Sequence, residues 1–277
     1  MKKILLICLS SLLIMSDLAA QQQTMVVWPG EVPGATKEKQ AMVKDLTTEP
    51  GVIRITEVTN PTLEIYQPVG AGNGAGVIVC PGGGYALLAY DKEGTDIAKW
   101  LAKQGFTAYV LAYRVPGKQD GALQDVQRSI RLMRQKNKQL EKVGVIGFSA
   151  GGSLSARAAT RFNENTYPKV DAADELSCRP DFALLIYPAY LDQGNERTLT
   201  PELTITEQTP PMFLFATSDD FHANSALVMA QALRDHKIPV EFHLTAKGGH
   251  GYGMRGAPAG LLWPSWAEQW LKEFVKK

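Results

Sequence analysis

The stretch Val143-Gly144-Val145-Ile146-Gly147-Phe148-Ser149-Ala150-Gly151-Gly152 decides how this chain reads. A short β-branched run enters G-x-S-x-G, and a segment containing Ala and Leu follows. A strand therefore ends, the backbone turns sharply and a helix begins, with Ser149 at the apex. A side chain at Gly147 or Gly151 would collide with the neighbouring strand or helix. The helix after the turn aims its free N–H groups and its positive dipole end at any charge forming beside Ser149. G-x-S-x-G alone recurs by chance in glycine-rich chains; its place between strand and helix is what gives it weight.

Outward from that turn, strand-like runs alternate with helical ones. Segments 52–58 and 62–67 are expected to pair as the first strands, followed by 76–80, 107–112, 143–146, 182–187, 212–216 and 240–245. Leu123, Val126, Ile130 and Met133 recur at helical spacing, as do Ile97, Trp100 and Leu101 ahead of the stop at Gly105. Pro264 is expected to open a last helix whose Trp266, Trp270 and Phe274 share one core-facing stripe rather than a sugar platform. Near-continuous apolar strands in this alternation imply an α/β fold: a mostly parallel, twisted sheet of about eight strands covered by helices on both faces. In such sheets sites lie beyond the carboxyl ends of the strands, and Ser149 stands at one. Residues 21–50, with Pro29, Pro33 and Pro50, are expected as an irregular strap ahead of a single catalytic domain over 51–277. The insertion 189–211 is polar and too short for an apolar lid, which implies a minimal cap and an open cleft.

Acyl transfer by a serine needs a base, an acid that orients it, and donors for the oxyanion. His250 is the best base, in the glycine-rich segment Lys247-Gly248-Gly249-His250-Gly251-Tyr252-Gly253 after the last strand. His222, His236 and His243 are expected to be structural. Asp219 and Asp220 follow the strand at 212–216, which gives the chain order Ser, Asp, His. Asp220 is the preferred acid and Asp219 the alternative, while one of the pair is free to cap the helix after them. Cys80-Pro81-Gly82-Gly83-Gly84-Tyr85 follows another strand, and Gly83, Gly84 and the N–H of Ala150 are the expected oxyanion donors. The loop has neither the Lys-Ser/Thr ending of a P-loop nor the spacing of G-x-G-x-x-G, which sets phosphate binding aside. Tyr85 and Tyr252 flank the centre, either lining a substrate pocket or packing their loops in place.

Residues 1–20 read as a secretory signal: Lys2 and Lys3, an apolar core over 4–15 too short to span a bilayer, and the small-residue exit Leu18-Ala19-Ala20. The two lysines and one aspartate there take the net charge from +1 to zero when removed. No basic block remains, so nucleic acid and anionic membrane surfaces are not expected partners, and no membrane insertion is expected after signal removal. Of 3 cysteines, Cys80 and Cys178 lie beyond the signal; two separate buried thiols are expected in preference to a disulfide. No metal or organic cofactor is implied.

Trp28-Pro29-Gly30, Pro33-Gly34-Ala35, Pro81-Gly82-Gly83-Gly84-Tyr85, Glu93-Gly94, Tyr113-Arg114, the Ser149 turn, Arg179-Pro180-Asp181-Phe182 and the His250 loop together resemble the α/β-hydrolase esterases grouped as acetylxylan or feruloyl esterase-like (BD-FAE-like) proteins of bacteria. The likeness covers nearly the whole chain after the signal. It implies the α/β-hydrolase fold and serine esterase chemistry, and it independently puts the acid at Asp220. The loop Phe221-His222-Ala223-Asn224 departs from the family pattern in being shorter. The expectation is an exported, periplasmic or secreted carboxylesterase acting on small acyl esters, acetyl first, on carbohydrate such as xylan. The rivals are a serine peptidase of the prolyl-oligopeptidase type, for whose gating domain the chain has no room, and a non-catalytic hydrolase-fold binding protein.

Overall fold

Ser149 sits where it does because of how eight strands are ordered. The computed structural model describes residues 23–117, 119–256 and 258–275; the signal expected at 1–20 lies outside them. The strands are β1 (Gln23–Val26), β2 (Val43–Asp45), β3 (Arg54–Thr56), β4 (Thr62–Tyr66), β5 (Ala75–Cys80), β6 (Leu88–Ala89), β7 (Thr107–Ala112), β8 (Lys142–Phe148), β9 (Ala183–Ile186), β10 (Asp192–Gln193), β11 (Thr198–Leu199), β12 (Met212–Thr217) and β13 (Val240–Thr245). The helices are α1 (Asp96–Lys103), α2 (Gln119–Lys136), α3 (Ala150–Thr160), α4 (Ala223–Asp235) and α5 (Pro258–Val275). The main sheet runs β1-β4-β7-β5-β8-β9-β12-β13, antiparallel at β1-β4 and β4-β7 and parallel from β7 onward. This is the α/β-hydrolase arrangement expected from the sequence.

The chain leaves β5 for β7 on one side and returns to β8 on the other, so a crevice opens at the carboxyl ends of β5 and β8. Strands β5, β7, β9 and β12 are buried at every residue, because helices cover both faces of the sheet. In α2 the apolar stripe Leu123, Val126, Ile130 and Met133 is buried as its spacing requires. On the opposite face α1 and α5 meet through Trp100 and Trp263, ring centroids 5.4 Å apart.

Three expectations need correction. Segments 52–58 and 62–67 do not pair with each other: β3 joins β2 and β6 in a separate small sheet, while β4 lies between β1 and β7. Glu57, in the left-handed region at φ 53°, helps turn the chain between them. The strap at 21–50 is not wholly irregular either, since β1 forms an edge of the main sheet against β4. Finally, Pro264 lies inside α5 instead of opening it. Its missing N–H removes one bond, while Trp263 beside it is fully buried and anchors the turn. The stripe of Trp266, Trp270 and Phe274 does face the core: Trp270 is buried, and the half-buried Trp266 and Phe274 pack against the core cluster.

Candidate active site

Cys80 lies opposite Gly147 in the β5–β8 register, so the loop after β5 and the turn after β8 leave the sheet side by side. Ser149 adopts φ 53° and ψ −117°, a conformation that costs free energy for any residue but glycine. Crowding enforces it. A Cβ on Gly147 would lie 1.9 Å from the Gly151 carbonyl oxygen, and one on Gly151 would lie 2.0 Å from that of Cys80. The Ser149 N–H donates to the Ile186 carbonyl at 3.2 Å, and its own carbonyl accepts the N–H groups of Ser153 and Ala189 at 3.0 Å.

His250 arrives from the loop after β13. Gly249 at φ 66° and Gly251 at φ 74° bend the chain on either side of it, as only glycine does without strain. Three consecutive residues at the end of β12 bind that loop. Thr217 Oγ1 donates to the Gly249 carbonyl at 2.9 Å and Ser218 Oγ to that of Ala246 at 3.0 Å. The Asp219 carboxylate accepts the N–H groups of Gly248 and Gly249, at 3.1 and 2.9 Å. Asp220 comes next. Its Oδ2 accepts from His250 Nδ1 at 2.7 Å, and His250 Nε2 lies 2.7 Å from Ser149 Oγ. Carrying its proton on Nδ1, the imidazole accepts the serine O–H. The Asp220 side chain is wholly buried while the imidazole is 31% exposed, so the acid is shielded and the base faces the cleft.

Neither aspartate caps α4, whose N-cap residue is His222 with no side-chain cap bond. Asp220 Oδ1 instead accepts the His222 N–H at 2.8 Å. Bonds from the Gly249 and Gly248 N–H groups hold the Asp219 carboxyl below its ordinary pKa.

In the loop after β5, the Gly82 N–H donates to Glu93 Oε2 at 2.8 Å. The N–H groups of Gly83, Gly84 and Ala150 have no acceptor among the described residues. They are available to an anion beside Ser149. Tyr113 Oη donates to the Pro81 carbonyl at 2.6 Å and steadies the same loop.

Two supporting residues were not anticipated. Glu93 lies in a π-helical turn, Asp91–Thr95, ahead of α1. It is buried, and burial pushes its carboxyl above the usual range. Tyr187, just past β9, donates its hydroxyl to Glu93 Oε1 at 2.8 Å and accepts the Gly253 N–H at 2.8 Å. Glu93 and Tyr187 therefore join the loop of Gly82 to the loop of His250. Glu93-Gly94 carries part of the family likeness, which is the signal that could have found it.

The His222 ring packs against that of His250, with centroids 5.0 Å apart. Burial, with His250 adding to it, keeps its pKa below the ordinary value. His236 bonds the Ala232 carbonyl, and His243 pairs with Glu241 under Trp266, as structural histidines do. Tyr85 and Tyr252, named as candidates for pocket lining, are 3% and 7% exposed. The Tyr85 hydroxyl accepts from Arg157 at 3.1 Å, and Tyr252 packs on Tyr187 at 4.6 Å. The Tyr252 side chain therefore packs behind the site, while Tyr85, though largely buried, also lines the cleft beside its loop. Beside the Gly83-Gly84 loop a polar cleft of about 660 Å³ is lined by Gly84, Ala86, Pro116, Gly117, Gln119 and Asp120.

Cys80 and Cys178 are separate buried thiols, and burial pushes that of Cys80 up to about 12. Among the described residues no three His, Cys, Asp or Glu side chains are placed to hold a metal ion, and no helix is long and apolar enough to cross a membrane.

Comparison with known proteins agrees with this architecture. The BD-FAE family model matches residues 63–178. Endo-1,4-beta-xylanase B of Butyrivibrio fibrisolvens is 30% identical over 205 residues, taking in 63% of this chain and 32% of the relative. The acetylxylan esterase of Xylanibacter ruminicola is 27% identical over 211 residues, 65% of this chain and 42% of the relative. The matches thus span less than half the length of either relative. Among solved structures, the acetyl ester-xyloside bifunctional hydrolase from Caldicellulosiruptor lactoaceticus superposes with a TM-score of 0.67 at 29% identity, over 86% of this chain and 97% of that one. An alpha/beta hydrolase enzyme from a Medee basin deep-sea metagenome library gives a TM-score of 0.60 at 27% identity, over 87% and 100%. The resemblance read from the sequence is borne out.

Proposed function

We propose that this chain, an α/β hydrolase by fold and similar to the BD-FAE proteins, is an exported serine carboxylesterase that releases small acyl groups, acetyl first, from carbohydrate. The observation that carries the chemistry is the unbroken line Asp220–His250–Ser149, with both links at 2.7 Å, beside three N–H groups that have no acceptor among the described residues. His250 Nε2 takes the Ser149 proton as Oγ bonds the ester carbonyl carbon, and Asp220 steadies the imidazolium. Gly83, Gly84 and Ala150 donate to the oxyanion; one such donor is typically worth about 2.7–4 kcal/mol in the transition state. His250 then hands its proton to the departing alcohol, and a water activated the same way frees the acid. Acetyl on carbohydrate as the substrate is supported by the acetylxylan esterase and acetyl ester-xyloside hydrolase likenesses, and export by the signal-like residues 1–20.

A chromogenic acetyl ester tests the chemistry. Wild type should hydrolyse it, and Ser149→Ala should lose about 10³-fold or more in kcat. Equal rates from the two proteins would remove the assignment. Export is checked by fractionating producing cells: the exported protein should begin after Ala20, and an intact N-terminus confined to the cytoplasm contradicts it.

A further inference from the structure

We infer that the surface running outward from His250 over His222, Tyr190 and Phe221 seats the alcohol half of the substrate, and that its occupant is a pyranosyl ring. This rests on the esterase reading above.

Four rings form one continuous surface. The His222 centroid lies 5.0 Å from that of His250, 5.4 Å from that of Tyr190 and 5.2 Å from that of Phe221. Phe221 is 83% exposed and Tyr190 41%, an unfavourable use of aromatic area unless something covers it. Both are held in place by their backbones. Phe221 is the tip of the turn closed by the His222 N–H on Asp220 Oδ1. Tyr190 has φ 59°, a costly conformation for an aromatic residue, and its neighbours pin it there. The Ala189 N–H bonds the Ser149 carbonyl, and the Leu191 N–H bonds Ser225 Oγ at 3.1 Å. The Tyr190 hydroxyl reaches to 3.6 Å from where a Cβ on Gly84 would stand, so this ring bridges the Gly84 loop and His222.

The chemistry says which half of the ester lies here. As the bond from Ser149 Oγ to the acyl carbon is completed, the bond from that carbon to the alcohol oxygen breaks. The proton taken from Ser149 passes from His250 Nε2 to the departing oxygen. That oxygen must therefore lie against His250, and whatever it carries extends over the next groups outward, which are these rings. A two-carbon alcohol ends short of them. A pyranosyl ring reaches them, laying its C–H face on aromatic carbon and turning its hydroxyls to the edge, where the Tyr190 hydroxyl is at hand.

The experiment compares kcat/KM for an acetylated methyl xylopyranoside with that for ethyl acetate. In Phe221→Ala, and in Tyr190→Asn, which tolerates the left-handed backbone, the ratio should fall about tenfold, through KM for the sugar ester. A ratio unchanged in both variants overturns the subsite. Titrating Ser149→Ala with the same sugar ester by calorimetry adds a readout independent of turnover. Adding Phe221→Ala should weaken that binding about tenfold, and undiminished binding overturns the proposal. Should wild type hydrolyse neither ester, the esterase reading fails on its own, and the titration still decides the subsite.

Discussion

At Asp219 and Asp220 the same side chain meets two different surroundings. Asp220 is enclosed and bonded to the imidazole; Asp219 is open to solvent and holds two backbone N–H groups of the His250 loop. Asn at 220 would turn an N–H donor toward His250 Nδ1, favour the wrong tautomer and lower kcat by about 10⁴-fold. Asn at 219 keeps an acceptor oxygen for the loop and should cost less than about tenfold. A kcat for Asp219→Asn as low as that for Asp220→Asn would reverse the assignment. The pH dependence follows from the direction of the Asp219 shift. A carboxylate whose folded pKa is depressed makes its full contribution above its unfolded value of 3.8, and loses it as pH falls through the lower folded value. The clamp on the loop therefore persists through mildly acidic solution, and Asp219→Asn should leave the acid limb of the rate profile above about pH 5 in place. Ser149, His250 and the aspartates were legible because each sits on backbone chemistry that glycine spacing and strand ends betray. His222 was not, since its contact with His250 exists only once the Asp220 turn has folded.

Between elements, the decisive join is Glu93 to Tyr187, which links the π-helical turn, the end of β9 and the loops of Gly82 and Gly253. Tyr187→Phe keeps the ring and removes both bonds. The loss should be about 1–3 kcal/mol of stability, with kcat down about tenfold because the two loops are no longer tied together. Thermal unfolding and chromogenic assays read these separately; an unchanged kcat would mean the join matters for stability alone. Burial raises the Glu93 carboxyl pKa, so the native state holds this proton in a range where the unfolded chain has lost it. Stability is then lost as pH rises above the unfolded value of 4.5 towards the folded one. Relative to Glu93→Gln, wild type should weaken as pH is raised above 4.5, and parallel stability curves for the two proteins would contradict this. Little of this join was readable beforehand, because its partners come from four separated segments. Local periodicity did locate β7, β13 and the buried stripe of α2. It misassigned the partner of 52–58, since strand pairing is set by the turn at Glu57 and not by the run itself.

Across the whole molecule, the N-terminal segment and the site meet through one buried ion pair. The Trp28 indole N–H donates to Asp125 Oδ1 at 2.7 Å, and the Arg114 guanidinium pairs with the same wholly buried carboxylate. Another Arg114 nitrogen donates to the Pro33 carbonyl at 2.5 Å, pinning the strap to the segment just after β7. Tyr113, the neighbour of Arg114, holds the loop that presents Gly83 and Gly84. Trp28-Pro29-Gly30 and Tyr113-Arg114, read in the sequence as separate pieces of a family likeness, are thus one contact. Spacing could not reveal this, as the two motifs lie far apart along the chain. Arg114→Met removes the charge partner and leaves a carboxylate stranded out of water, a loss of about 3–5 kcal/mol. The double variant Arg114→Met, Asp125→Asn removes both charges, keeps an acceptor for the Trp28 indole and Arg114 backbone N–H groups, and should be more stable than Arg114→Met alone. Trp28→Phe removes one donor and should cost about 1–3 kcal/mol. Urea denaturation with an unchanged slope measures all three. If the double variant were no more stable than Arg114→Met, the cost would come from lost packing of the arginine stem, and the ion pair would not be what fastens the strap to the sheet.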